Sequence, residues 1–109
     1  MENKDKQVLI KILAEIDVIS SFTENTDFSL FKNDEKTKRA VCMTLINIGE
    51  LVKTLSEGFK QENNRIPWHA IAGLRDVTAH RYQTLRMEDI WVTVQSDIPS
   101  LQTEICNML

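Results

Sequence analysis

Arg75, His80 and Tyr82 stand at R-x4-H-x-Y spacing in the run Arg75-Asp76-Val77-Thr78-Ala79-His80-Arg81-Tyr82. Their side chains suit chemistry on a phosphodiester. Arginine is a permanent cation whose planar fork matches phosphate oxygens, and histidine, with an ordinary pKa of about 6.5, exchanges protons near neutral pH. His80 would take the proton of a ribose 2′-hydroxyl, or give one to the leaving oxygen, while Arg75 holds the phosphate and offsets charge growing on it. The need for a 2′-hydroxyl selects RNA over DNA. The plainer alternative is that Arg75 is a solvated cation and His80 a charge tolerated near a helix end.

These residues need helices to position them. Leu9, Ile12, Leu13, Ile16 and Ile19 recur at three- and four-residue steps and predict a helix over 4–23. Asp27 caps a short turn carrying Phe28 and Phe31, and Asn33 or Asp34 caps the next helix. Val41, Leu45, Ile48, Val52, Leu55 and Phe59 predict that helix as one long element over 34–62, with Gly58 weakening its last turn. Pro67 suits the first turn of a third helix that runs to His80 or Tyr82 and carries the motif. Met87, Trp91, Val94, Ile98, Leu101, Ile105 and Met108 predict a last helix, kinked or divided near Pro99. The expected fold is all-α, an up-and-down bundle of four main helices plus a short helical turn.

On a continuous third helix, Ala70, Ile71, Leu74, Val77 and Thr78 would face the core, and Arg75 and His80 would stand about 140° apart on the outside. Between them lie Ala72, Asp76 and Ala79, a small and polar face. Asp76, four residues before His80, is placed to accept its ring hydrogen, or else to pair with Arg75 or Arg81. Tyr82 would lie nearly above Arg75. An arc that wide does not converge on one phosphate, so a two-fold dimer with the cleft at its interface, or a substrate wrapping the helix, would complete the site.

The chain has 109 residues, which favours a single domain over 1–109. Three glycines and two prolines against 42% hydrophobic and 27% charged residues favour a packed helical protein over a disordered or barrel-like one. The charged start and the lack of a long apolar run argue against a secretion signal or membrane span. Cys42 and Cys106 lack CxxC spacing and read as buried small hydrophobes of a reducing cytoplasm, with no metal site or cofactor expected. The net charge of −3 argues mildly against general nucleic-acid affinity, yet residues 51–86 carry six Lys or Arg against three Asp or Glu. The basic third contains the motif.

From Ile48 to Ile105 the chain reads Ile48-Gly49-Glu50, Leu55-Ser56, Ile66-Pro67-Trp68, the Arg75/His80/Tyr82 set, Trp91, Val94-Gln95 and Asp97-Ile98-Pro99. This resembles the HepT-like proteins of the HEPN superfamily. The resemblance implies a dimeric helical bundle whose Arg75 and His80 form a metal-independent ribonuclease centre in the interface cleft, acting as a toxin. It also implies a nucleotidyltransferase-like antitoxin that neutralises the toxin by AMP transfer to Tyr82. Asp76 stands where that family often has asparagine, and Gln83 where an aromatic is common. The competing expectation is a non-catalytic helical module that docks a nucleotidyltransferase through Arg75 and Tyr82.

Overall fold

One apolar face from each of three helical runs meets in a shared core, and short helices close its ends. The computed structural model describes residues 1–75 and 82–109. Helix α1 (Asn3–Thr23) buries Leu9, Ile12, Ile16 and Ile19 of the expected stripe together with Val8, while Leu13 is only half-buried. It ends where Asn25 takes a left-handed conformation (φ 59°), which asparagine tolerates better than most residues. The Asp27 carboxylate accepts from the Leu30 amide at 2.9 Å and starts α2 (Phe28–Lys32). Phe31 is fully buried, its ring 5.0 Å from that of Trp91.

Asp34 caps α3 (Glu35–Lys53), accepting from the Thr37 amide at 3.2 Å and its hydroxyl at 2.7 Å. Helix α3 is the central element and packs against α1, α2 and α5. The single helix expected over 34–62 is two helices: α3 stops at Lys53, and α4 (Glu57–Glu62) begins again after Ser56. The break has a tertiary cause. Asp5, buried near the start of α1, accepts from the Ser56 amide at 2.9 Å and from its hydroxyl at 2.7 Å. Ser56 in turn caps α4 by accepting from the Phe59 amide. The carboxylate thus holds Ser56 out of helical geometry while Leu55 and Phe59 stay in the core.

The third expected helix is also interrupted. Helix α5 (Trp68–Ala72) closes at Gly73, whose amide returns to the His69 carbonyl, and helical backbone resumes at Leu74–Arg75. Pro67 precedes α5 as its cap instead of sitting in its first turn. Ala70, expected in the core, is exposed, whereas Ile71 is buried. Beyond a single turn of 3₁₀ helix at Tyr82–Thr84, helix α6 (Met87–Val92), a π-helical turn (Thr93–Asp97) and α7 (Ile98–Met108) succeed one another without a gap. Pro99 explains the wide turn. It has no amide to donate to Gln95 and its ring crowds that carbonyl, so the preceding backbone loosens. Ile90, Val94, Ile98, Leu101 and Ile105 nevertheless keep one buried face.

Among the described residues the structure is helical with no strand, as the apolar periodicity predicts. No described helix is long and apolar enough to cross a membrane. Cys42 is buried, but Cys106 is exposed, contrary to expectation: it comes after Ile105 on α7 and so falls off the buried stripe.

Candidate active site

Arg75 is placed by α3 more than by its own helix. The α5–Arg75 segment crosses α3 at Gly49, where an added Cβ would lie 2.9 Å from the Arg75 amide nitrogen and 3.0 Å from the Ala72 carbonyl oxygen. Only glycine admits so close an approach of two backbones. One residue on, the Glu50 carboxylate pairs with Nε of Arg75, on a side chain about one-third exposed. The guanidinium is therefore fixed at the C-terminal part of α3 and open to solvent on one side. An ion pair this exposed adds little stability, so its consequence is orientation.

Tyr82 is held at the other end of α3. Its hydroxyl donates to Oε2 of Glu35 at 2.5 Å, and the Arg39 guanidinium lies 4.6 Å from the centre of its ring. Arg39 and Lys38 also pair with Glu35, at 3.4 and 3.6 Å. Partial burial and the hydrogen bond to Glu35 push the phenol up to about 12, and the same hydrogen bond is the main cause that holds Glu35 below the ordinary carboxylate value. Tyr82 is thus neutral at physiological pH, with a carboxylate already on its proton. Burial likewise pushes the Cys42 thiol, in the same helix, up to about 11, which leaves it unreactive.

Of the sequence-predicted set, Arg75 and Tyr82 are described, whereas His80 and Asp76 lie outside the described residues. Arg75 and Tyr82 do not converge. Their carboxylate partners, Glu50 and Glu35, are 15 residues apart on α3, roughly 22 Å along its axis, so Tyr82 does not stack above Arg75 as one continuous helix would require. The partners themselves escaped the motif reading. A lone glycine inside a helical apolar stripe signals close backbone approach, and Gly49 carried that signal. Nothing local marked Glu50, Glu35 or Arg39.

Two concavities flank this region. A groove of about 370 Å³ between α5 and α7 is apolar, walled by Ile66, Pro67, Ile71, Leu74, Ile98 and Leu101. Of its three charged residues, Arg65 and Glu104 pair with each other at 2.9 Å and Asp97 is the third. A more open cleft of about 570 Å³ between α4 and α5 is lined mostly by residues with polar side chains, Lys53, Glu57, Lys60 and His69 among them. Among the described residues no three His, Cys, Asp or Glu side chains are grouped to hold a metal ion.

Residues 12–108 match the family model described as ribonuclease HepT-like. A protein named as a probable ribonuclease HepT from Thermococcus cleftensis is 37% identical over 102 residues, covering 94% of this chain and 93% of that protein. A candidate RNase of Methanocaldococcus jannaschii is 38% identical over 106 residues, covering 96% and 88%. A candidate RNase of Caldanaerobacter subterraneus subsp. tengcongensis is 33% identical over 98 residues, covering 90% and 88%. No solved structure gives a significant match.

Proposed function

This chain belongs to the HepT-like ribonuclease family, and on that premise we propose that it is an endoribonuclease cutting RNA without a metal ion, through Arg75 and His80. The observation that carries the reading is the fixed arginine: Glu50 and the close approach at Gly49 hold Arg75 with its guanidinium partly open to solvent. Arg75 binds the scissile phosphate and stabilises charge on its oxygens. His80 moves the proton, a role worth typically ~10²–10⁴-fold. Asp76 orients the His80 ring. The chain acts as one domain over 1–109 and as a cytoplasmic toxin. Two copies place their motifs in one interface cleft, the arrangement that the family resemblance implies. The direct test is cleavage of RNA by purified protein in chelated buffer, where loss on His80→Ala supports the mechanism.

Tyr82 is the control point for a nucleotidyltransferase-like antitoxin. In this step the Tyr82 oxygen bonds to the α-phosphorus of ATP, pyrophosphate leaves, and the phenolic proton passes to a base. Glu35 supports the reading, since its carboxylate already accepts the phenolic hydrogen bond. Intact-mass measurement after incubation with ATP and the enzyme tests it. Addition of AMP to the wild type but not to Tyr82→Phe is expected, and no addition, or addition to both, contradicts it.

A further inference from the structure

The α4–α5 cleft has features that neither the motif nor the core requires. Its wall carries two cations, Lys53 and Lys60, and one carboxylate, Glu57, which pairs with Lys60 at 3.1 Å and leaves a net positive charge. It also carries the amides of Gln61 and Asn64, each both donor and acceptor, and the exposed ring of His69. The buried Trp68 indole closes one side, its Nε1 committed to the Asn63 carbonyl at 3.2 Å. The volume of about 570 Å³ falls among those of small-ligand clefts. Cations, amides and a flat ring together are what a single-stranded nucleic acid asks of a groove: charge for the phosphates, edges and a stacking face for a base.

The cleft ends close to Arg75 in the chain. Gly73, two residues before Arg75, lies in its wall, and Lys53 comes three residues after Glu50 on α3, which puts the two on one face a single turn apart. The Glu50 carboxylate that anchors Arg75 therefore stands next to the Lys53 side of the cleft. The apolar groove by α7 offers no such chemistry: its one cation, Arg65, is paired with Glu104, and its remaining charge, Asp97, is an anion.

We propose that the α4–α5 cleft is a binding subsite for the RNA segment adjoining the scissile phosphate, with Lys53 and Lys60 on the backbone and His69 stacking on a base. The proposal rests on Arg75 holding the scissile phosphate, and it names the route by which the strand reaches that residue. It also gives His69 a role separate from that of His80, in binding instead of proton transfer.

The experiment measures binding of a fluorescent single-stranded RNA oligonucleotide to full-length His80→Ala protein, across a range of salt, with second substitutions added. Lys53→Gln weakens binding and lowers the salt slope by about 0.7 to 1, as for one lost phosphate contact. His69→Ala weakens it about tenfold with the slope unchanged. Lys11→Gln, removing an exposed charge from α1, sets the baseline for bulk electrostatics. Lys53 and His69 are both exposed, and unchanged melting temperatures establish that their variants are folded. Equal affinity and slope for the Lys53, His69 and Lys11 variants overturns the subsite, as does an absence of RNA binding. Cleavage by the otherwise unaltered protein is scored separately, so that failure of the nuclease reading and failure of the cleft are distinguishable.

Discussion

At the scale of single residues, Arg75 and Tyr82 are each defined by a carboxylate from α3, and each carboxylate does a different thing. Glu50 sets the direction of a cation that is always charged. Glu35 holds a neutral phenol and resists its ionisation. Because the folded pKa is raised, the Tyr82 hydroxyl contributes stability at pH values below about 10, the ordinary phenol value, and loses it as pH rises towards about 12. Tyr82 is the only tyrosine in the chain, so phenolate absorbance reports it alone. The absorbance midpoint is expected near 12 and is expected to fall towards the ordinary value in Glu35→Gln. A midpoint that does not move on that substitution would mean that Glu35 does not govern the phenol.

Among elements, α3 is the ruler on which the site is laid out, and Gly49 is its most sensitive mark. In Gly49→Ala the new methyl meets the Arg75 backbone at about 3 Å, which side-chain repacking does not relieve. The expected result is overpacking of about 1–3 kcal/mol and a loss of RNA cleavage larger than stability explains, measured at a temperature where the variant is folded. Activity equal to the wild type would mean that Arg75 does not depend on this contact. Much of α1, α2 and α7 was legible in the sequence, because the Leu9–Ile19 stripe, the Asp27 cap and the Ile98–Ile105 stripe are local patterns. The break between α3 and α4 was not, since the apolar stripe runs straight through it and the cause, Asp5, lies 51 residues away. The interruption at Gly73 hid behind an equally good periodicity. The R-x4-H-x-Y spacing was legible in the sequence, but the anchors of Arg75 and Tyr82 were not: Glu50 and Glu35 are ordinary exposed-face glutamates until the fold brings Arg75 and Tyr82 to them.

Across the whole molecule, the Asp5–Ser56 contact ties the start of the chain to the end of α3, and with it to the helices that carry Arg75. Burial raises the Asp5 carboxyl pKa, but hydrogen bonds from the Ser56 amide and hydroxyl outweigh it and leave the group below its ordinary value. Its contribution to stability is therefore present above the ordinary carboxylate range, around pH 4, and lost as pH falls through the lowered folded value. Asp5→Asn is expected to cost about 1–3 kcal/mol in denaturant unfolding at neutral pH and to flatten the acid limb of the stability profile. An unchanged acid limb would show that another carboxylate governs it. The measurement that bears most directly on the central claim is RNA cleavage in chelated buffer by the wild type, Arg75→Ala and His80→Ala side by side. Cutting by the wild type and a fall of about 10²–10⁴-fold in each variant are expected; a wild type that cuts nothing, or a His80→Ala protein that cuts as well as the wild type, would contradict the claim.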